Sequence, residues 1–141
     1  MEEILELKTY LQQGRYAEAL VLAGELEEMS KDDKIHKIES FLEILLIHLI
    51  KQQAENRTTH SWEVSIRNAS RKINAINKRR KAGGTYLTEA ELGEAIREVW
   101  DSALASASLE AFEGRYDETE LAQKVNREKI FQEAKQHIQK G

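Results

Sequence analysis

Four histidines, His36, His48, His60 and His137, are the side chains of this sequence best suited to move a proton or hold a metal near neutral pH. Each needs partners at a workable spacing. Metal sites in helical bundles use a glutamate three residues before a histidine, in two copies, with two further glutamates. Here the order is reversed, since His36 precedes Glu39 and His60 precedes Glu63. Asp33 and His36 have the right order, but at the start of an expected helix and without a second copy. His48 stands inside the apolar run ILLIHLI, residues 44–50, where its simplest place is the edge of a core. No histidine follows an arginine by four to six residues, the spacing of small helical ribonucleases. Gly83-Gly84 lacks the glycine-lysine context of a phosphate loop, and no serine stands in a nucleophile elbow. Cysteine is absent, which removes a thiol nucleophile, a disulfide and a thiolate metal site. A non-enzyme without metal or cofactor is expected.

Charge offers a different chemistry. Residues 1–60 carry 7 basic and 12 acidic side chains, and residues 82–141 repeat those numbers. Between them, residues 61–81 carry seven basic side chains against Glu63 alone. Arg67, Arg71, Lys72, Lys78, Arg79 and Arg80 are therefore the candidate binding residues, able to track phosphates. They are spread around the expected helix, aromatic stacking partners are few, and the net charge is −4. Neutralisation against the acidic flanks explains the block equally well.

These residues must be positioned by helices. There is no proline, good helix formers dominate, and no segment alternates apolar and polar residues as a strand does. The periodicity predicts a single domain, 1–141, as an all-α bundle of four to five helices. Helices are expected at about 2–13, 16–29, 32–54, 61–81, 88–112 and 117–139. The first pair, around GRYAEAL (14–20), resembles part of a tetratricopeptide unit. Only one copy is present, so a local helix–turn–helix is expected. SKDD (30–33) supplies N-cap candidates for the third helix, which is apolar nearly all round and so belongs at the centre of the bundle. Thr59 or Ser61 would cap the helix that begins with Trp62, and Thr88 with Glu91 makes a capping-box pattern. The apolar run of seven residues is far short of the roughly 20 that a membrane span needs. With an acidic N-terminus unlike a secretory signal, no membrane association and a cytoplasmic location are expected.

The run IESFLEILLIHLIKQQAENRTTHSWEVSIRNASRKI, residues 38–73, resembles the bacterial, cyanobacteria-rich family known as domain of unknown function 29. The positions that carry the likeness include His48, Leu49, Lys51, Gln53, Arg57, Ser61, Trp62, Ile66 and Arg67. The helix pair upstream and EAIREVWDSALASASLEA (94–111) fit as well, so the resemblance covers about residues 5–110. The chain departs from the family's closing phenylalanine-proline and cysteine-proline segment, having neither proline nor cysteine. The resemblance implies an all-helical bundle and no activity. It also favours His48, Arg57, Ser61 and Trp62 as one cross-turn cluster, structural in role. The expected function is a non-catalytic interaction or regulatory protein with a protein partner or self-association, the apolar stretch 44–50 serving as a dimer face. The alternative is a nucleic-acid-associated or antitoxin-like module using the basic helix.

Overall fold

A computed structural model of the protein describes residues 2–79 and 83–140. The helices are α1 (Glu2–Gln12), α2 (Tyr16–Glu55), α3 (His60–Asn77), α4 (Glu89–Glu110), α5 (Glu118–Ala122) and α6 (Arg127–Lys140). A 3-10 turn, Ala111–Gly114, follows α4. No strand occurs among the described residues, only an isolated bridge between Lys78 and Thr85. The fold is all-α. No helix among these residues is long and apolar enough to cross a membrane.

Three boundaries differ from the sequence expectation, each for a local reason. The helices expected at 16–29 and 32–54 are one helix, α2. SKDD lies inside it, because neither glycine nor proline stands between the two expected helices and Ser or Asp costs only tenths of a kcal/mol in a helix interior. Helix α3 ends at Asn77 rather than near 81. The Asn77 side chain leaves the helix to hold Leu87, accepting from its N–H at 2.8 Å and donating to its carbonyl at 3.2 Å. The last expected helix is two. Asp117 and Glu120 form a capping box that starts α5. The Asn126 side chain then accepts from Lys129 N–H at 3.1 Å and starts α6.

The chain divides into two compact units, Met1–Lys34 and Ile35–Gly141. In the first, α1 stops at Gly14, whose φ of +71° permits the left-handed turn. Arg15 N–H bonds Tyr10 C=O at 2.8 Å and Gly14 N–H bonds Leu11 C=O at 3.2 Å, the paired bonds of a Schellman cap. This is the expected helix–turn–helix. Its burial is slight: Ala19 and Leu22 are covered, while Ile4, Leu11, Tyr16 and Leu20 are exposed.

The second unit holds the main hydrophobic core. Leu42, Leu45, Leu46 and Ile50 of α2 are fully buried, as the centre of a bundle requires. Cross-helix contacts fix directions. Lys51 meets Trp62 and Phe41 meets Lys72, so α2 and α3 run antiparallel. Ser102 donates to Glu43 at 2.6 Å, while Lys51 reaches Glu110 and Glu55 reaches Phe112. Numbers rise together along that seam, so α2 and α4 are parallel. Helix α6 packs against α4, with Trp100 edge-on to Phe131 at 5.3 Å and Arg97 bidentate to Glu128 at 2.9 and 3.0 Å. It packs against α3 as well.

Candidate functional site

The short connection between α2 and α3 builds a clasp. Asn56, at φ +51°, ends α2 in the left-handed conformation that asparagine tolerates, and Arg57 N–H closes back on Gln52 C=O. Thr59 then caps α3, its hydroxyl accepting from Trp62 N–H at 3.1 Å. This brings two cations to the indole: Lys51 Nζ lies 4.7 Å and Arg57 Cζ 4.6 Å from the ring centroid. Both cations are also paired. Lys51, only 6% exposed, reaches Glu110 at 3.2 Å, which offsets the cost of burying an ammonium. Arg57 reaches Glu55 at 3.0 Å.

Glu55 has a second task. Its other oxygen accepts from Phe112 N–H at 3.2 Å, the first residue of a left-handed turn. Phe112 (φ +52°), Glu113 (φ +57°) and Gly114 (φ +78°) are consecutive. Non-glycine residues held there cost of order 1–3 kcal/mol each, so packing must hold them. Phe112 stands edge-on to Tyr116 at 5.2 Å, and Lys124 lies 4.3 Å above the Tyr116 ring. The turn, the clasp and Arg115 line an open groove of about 530 Å³.

The clasp joins Arg57 and Trp62 as the sequence implied, and recruits Lys51. Ser61 is exposed in the first turn of α3, and Thr59 takes the capping role. His48 is half-buried, with its Nδ1 enclosed and without a hydrogen-bond partner. Burial holds its pKa below 6.5, Lys51 adds to the effect, and Glu110 opposes it. A basic side chain one turn on from His48 was visible in the sequence. Glu110 was not, since 59 residues separate it from Lys51.

The six basic candidates do not share one helix face. Lys78 and Arg79 lie beyond α3, and Arg80 falls outside the described residues. Lys72 leans toward the Phe41 ring at 5.5 Å, and Arg79 toward Tyr86 at 5.8 Å. Arg67 and Arg71 remain, lining a second groove of about 510 Å³ with His137 and Lys140 of α6. Burial holds the His137 pKa below 6.5, opposed by Glu133 and reinforced by Lys140. Among the described residues, no three His, Asp or Glu side chains converge as metal ligands would. The two grooves therefore offer charge recognition and hydrogen bonding.

A family model described as a domain of unknown function, DUF29, matches residues 9–140. That span takes in α6, beyond the stretch that carried the resemblance in the sequence. No curated protein and no solved structure matches the chain.

Proposed function

The chain belongs to the DUF29 family, a family of unknown function, and from that premise we propose that it is a non-catalytic interaction protein. Its docking element is the helical hairpin of residues 2–34, and its partner presents a basic amphipathic helix. One observation carries this reading. Nine large hydrophobic residues are exposed among the described residues, and seven of them lie in 2–34. Leu20 is 74% exposed, Val21 65% and Leu5 62%. Exposed apolar side chains gathered in one short segment mark an interaction surface more often than single scattered ones do. The charge of the segment selects the occupant. Nine acidic and four basic side chains leave it at net −5, which opposes a second copy and favours a cationic helix. Helix-in-groove recognition of this kind sets an apolar stripe against apolar side chains and charges at the rim.

The stretch 44–50 no longer supports self-association. Leu45, Leu46, Leu49 and Ile50 are at most 1% exposed within the chain's own core, leaving Ile44 as the exposed residue of the run.

The test places a photo-crosslinking residue at position 20 of the full chain in its native cell. The cross-linked partner peptide should be a basic amphipathic helix, and Val21→Glu should abolish capture without changing thermal stability. Sedimentation of the purified chain should show a monomer. A dimer that Val21→Glu dissolves would assign the face to self-association and overturn the reading, as would a cross-linked peptide that is acidic or not helical.

A further inference from the structure

We propose that the groove between α3 and α6 binds a small ligand through paired phosphoryl groups. Arg67 and Arg71 stand one turn apart on α3, and His137 and Lys140 one turn apart on α6. The i, i+4 spacing sets the two arginine side chains about 5–6 Å apart at Cβ. Two guanidinium forks at that spacing can each take one phosphoryl group in bidentate fashion. Lys140 adds a point charge from the opposite helix.

The electrostatics favour an anion from outside the chain. Acidic side chains outnumber basic ones, 25 to 21, and several cations of the same unit are paired, among them Lys51, Arg57 and Arg97. Arg67, Arg71 and Lys140 make no ion pair or hydrogen bond among the described residues. Glu63 is the lining carboxylate, one turn before Arg67, and it too makes no ion pair. Three cations thus face one carboxylate inside one concave surface.

The shape and lining choose between a small molecule and a polynucleotide. A volume of about 510 Å³ falls within the range of small-ligand sites, on the order of 300–1,000 Å³. No Phe, Tyr or Trp lines the groove, so the lone imidazole of His137 offers no run of stacking platforms for single-stranded nucleic acid. Ile66, 4% exposed, supplies an apolar floor. The neighbouring Ser70 hydroxyl is already committed to Ile66 C=O at 2.8 Å. Recognition then rests on phosphoryl charge, with room left for an uncharged ligand body. This site involves only residues of the second unit, so its test is separate from that of the hairpin.

The test is calorimetric titration of the full chain with pyrophosphate, inorganic phosphate and a 20-base-pair RNA duplex. Pyrophosphate should bind at one site and more tightly than phosphate. Arg67→Gln and Arg71→Gln should each weaken it at least tenfold, whereas Arg115→Gln, in the other groove, should not. Because both arginines are exposed, circular dichroism should be unchanged, and pyrophosphate should shift the His137 ring resonances in the unsubstituted chain. The proposal fails if millimolar pyrophosphate does not bind, or if Arg115→Gln weakens binding as much as Arg67→Gln. It fails equally if the duplex binds more tightly than pyrophosphate through the same two arginines, which would make the groove a nucleic-acid surface.

Discussion

Replacing Glu113 with glycine should stabilise this protein, and replacing its neighbour Gly114 with alanine should do the opposite. Glu113 holds φ at +57°, where an L-residue's Cβ crowds the following carbonyl at a cost of roughly 1–2 kcal/mol. Its side chain is exposed and makes no hydrogen bond or ion pair, so little is lost with it. Glycine removes the crowding but adds about 0.5–1 kcal/mol of unfolded-chain entropy. The net gain is about 0.5–1 kcal/mol, or about 2–3 °C in Tm for a chain of this size. Gly114 has φ +78°, and a Cβ there would stand 3.1 Å from Leu109 O. Gly114→Ala therefore meets both the left-handed penalty and a backbone contact, a loss of at least about 1–2 kcal/mol. Urea unfolding followed by circular dichroism reads both as shifts of midpoint at constant slope. Glu113→Ala is the control, since alanine keeps the Cβ and should not gain. The reasoning is refuted if Glu113→Gly unfolds at lower urea than the parent, or if Glu113→Ala gains as much.

Leu45→Ala, at a position with no exposure, should lose roughly 2–5 kcal/mol of stability in urea unfolding, while Leu20→Ala should change it by no more than about 0.5 kcal/mol. Equal effects at the two sites would mean that the core has been misplaced. Asn77→Ala strands the buried N–H of Leu87, whose C=O keeps the Thr85 hydroxyl at 2.6 Å, at about 1–3 kcal/mol for the unsatisfied group, so thermal unfolding should move down by several degrees. Burial lowers the pKa of His48 in the folded chain below its ordinary 6.5, so the unfolded chain binds a proton first as pH falls. Stability from this source is complete above about pH 6.5 and is lost as pH falls below it toward the folded value. His48→Gln should flatten that slope in unfolding measured between pH 7 and 5, and an unchanged slope would place the titration elsewhere.

The helical class was legible because periodicity is local. Trp62, Ile66, Ala69 and Ile73 recur at steps of four and three, and the structure buries all but the half-covered Trp62 on α3. Thr88 with Glu91 also declared a helix start that the capping box confirms. What the sequence hid depends on chain segments that meet only in three dimensions. Asn77 reads as one more helical residue until Leu87 is seen ten positions on, and that pairing is why α3 stops early. The basic run reads as spread around one long helix, and only Arg67 and Arg71 meet α6 in a shared groove, while Lys72 turns toward Phe41. The clasp lay between these extremes. Arg57 meets Trp62 as implied, while its ion pair is with Glu55 two residues back, a partner that the cross-turn cluster did not include.

The Asn77–Leu87 pairing also has a consequence for how this chain can be lengthened. Its two hydrogen bonds, with Tyr86 N–H on Asn77 C=O at 2.9 Å, form a neck where the chain leaves α3 and re-enters toward α4. Beyond it, Arg79 N–H donates to Gly84 C=O at 3.0 Å, tying together the described residues on either side of the stretch 80–82. Extra residues added there leave the bundle's own hydrogen bonds intact, and each doubling of a flexible loop's length adds only about 0.6 kcal/mol of closure entropy. A reporter domain spliced in ahead of Gly83 should therefore leave the register of the bundle unchanged.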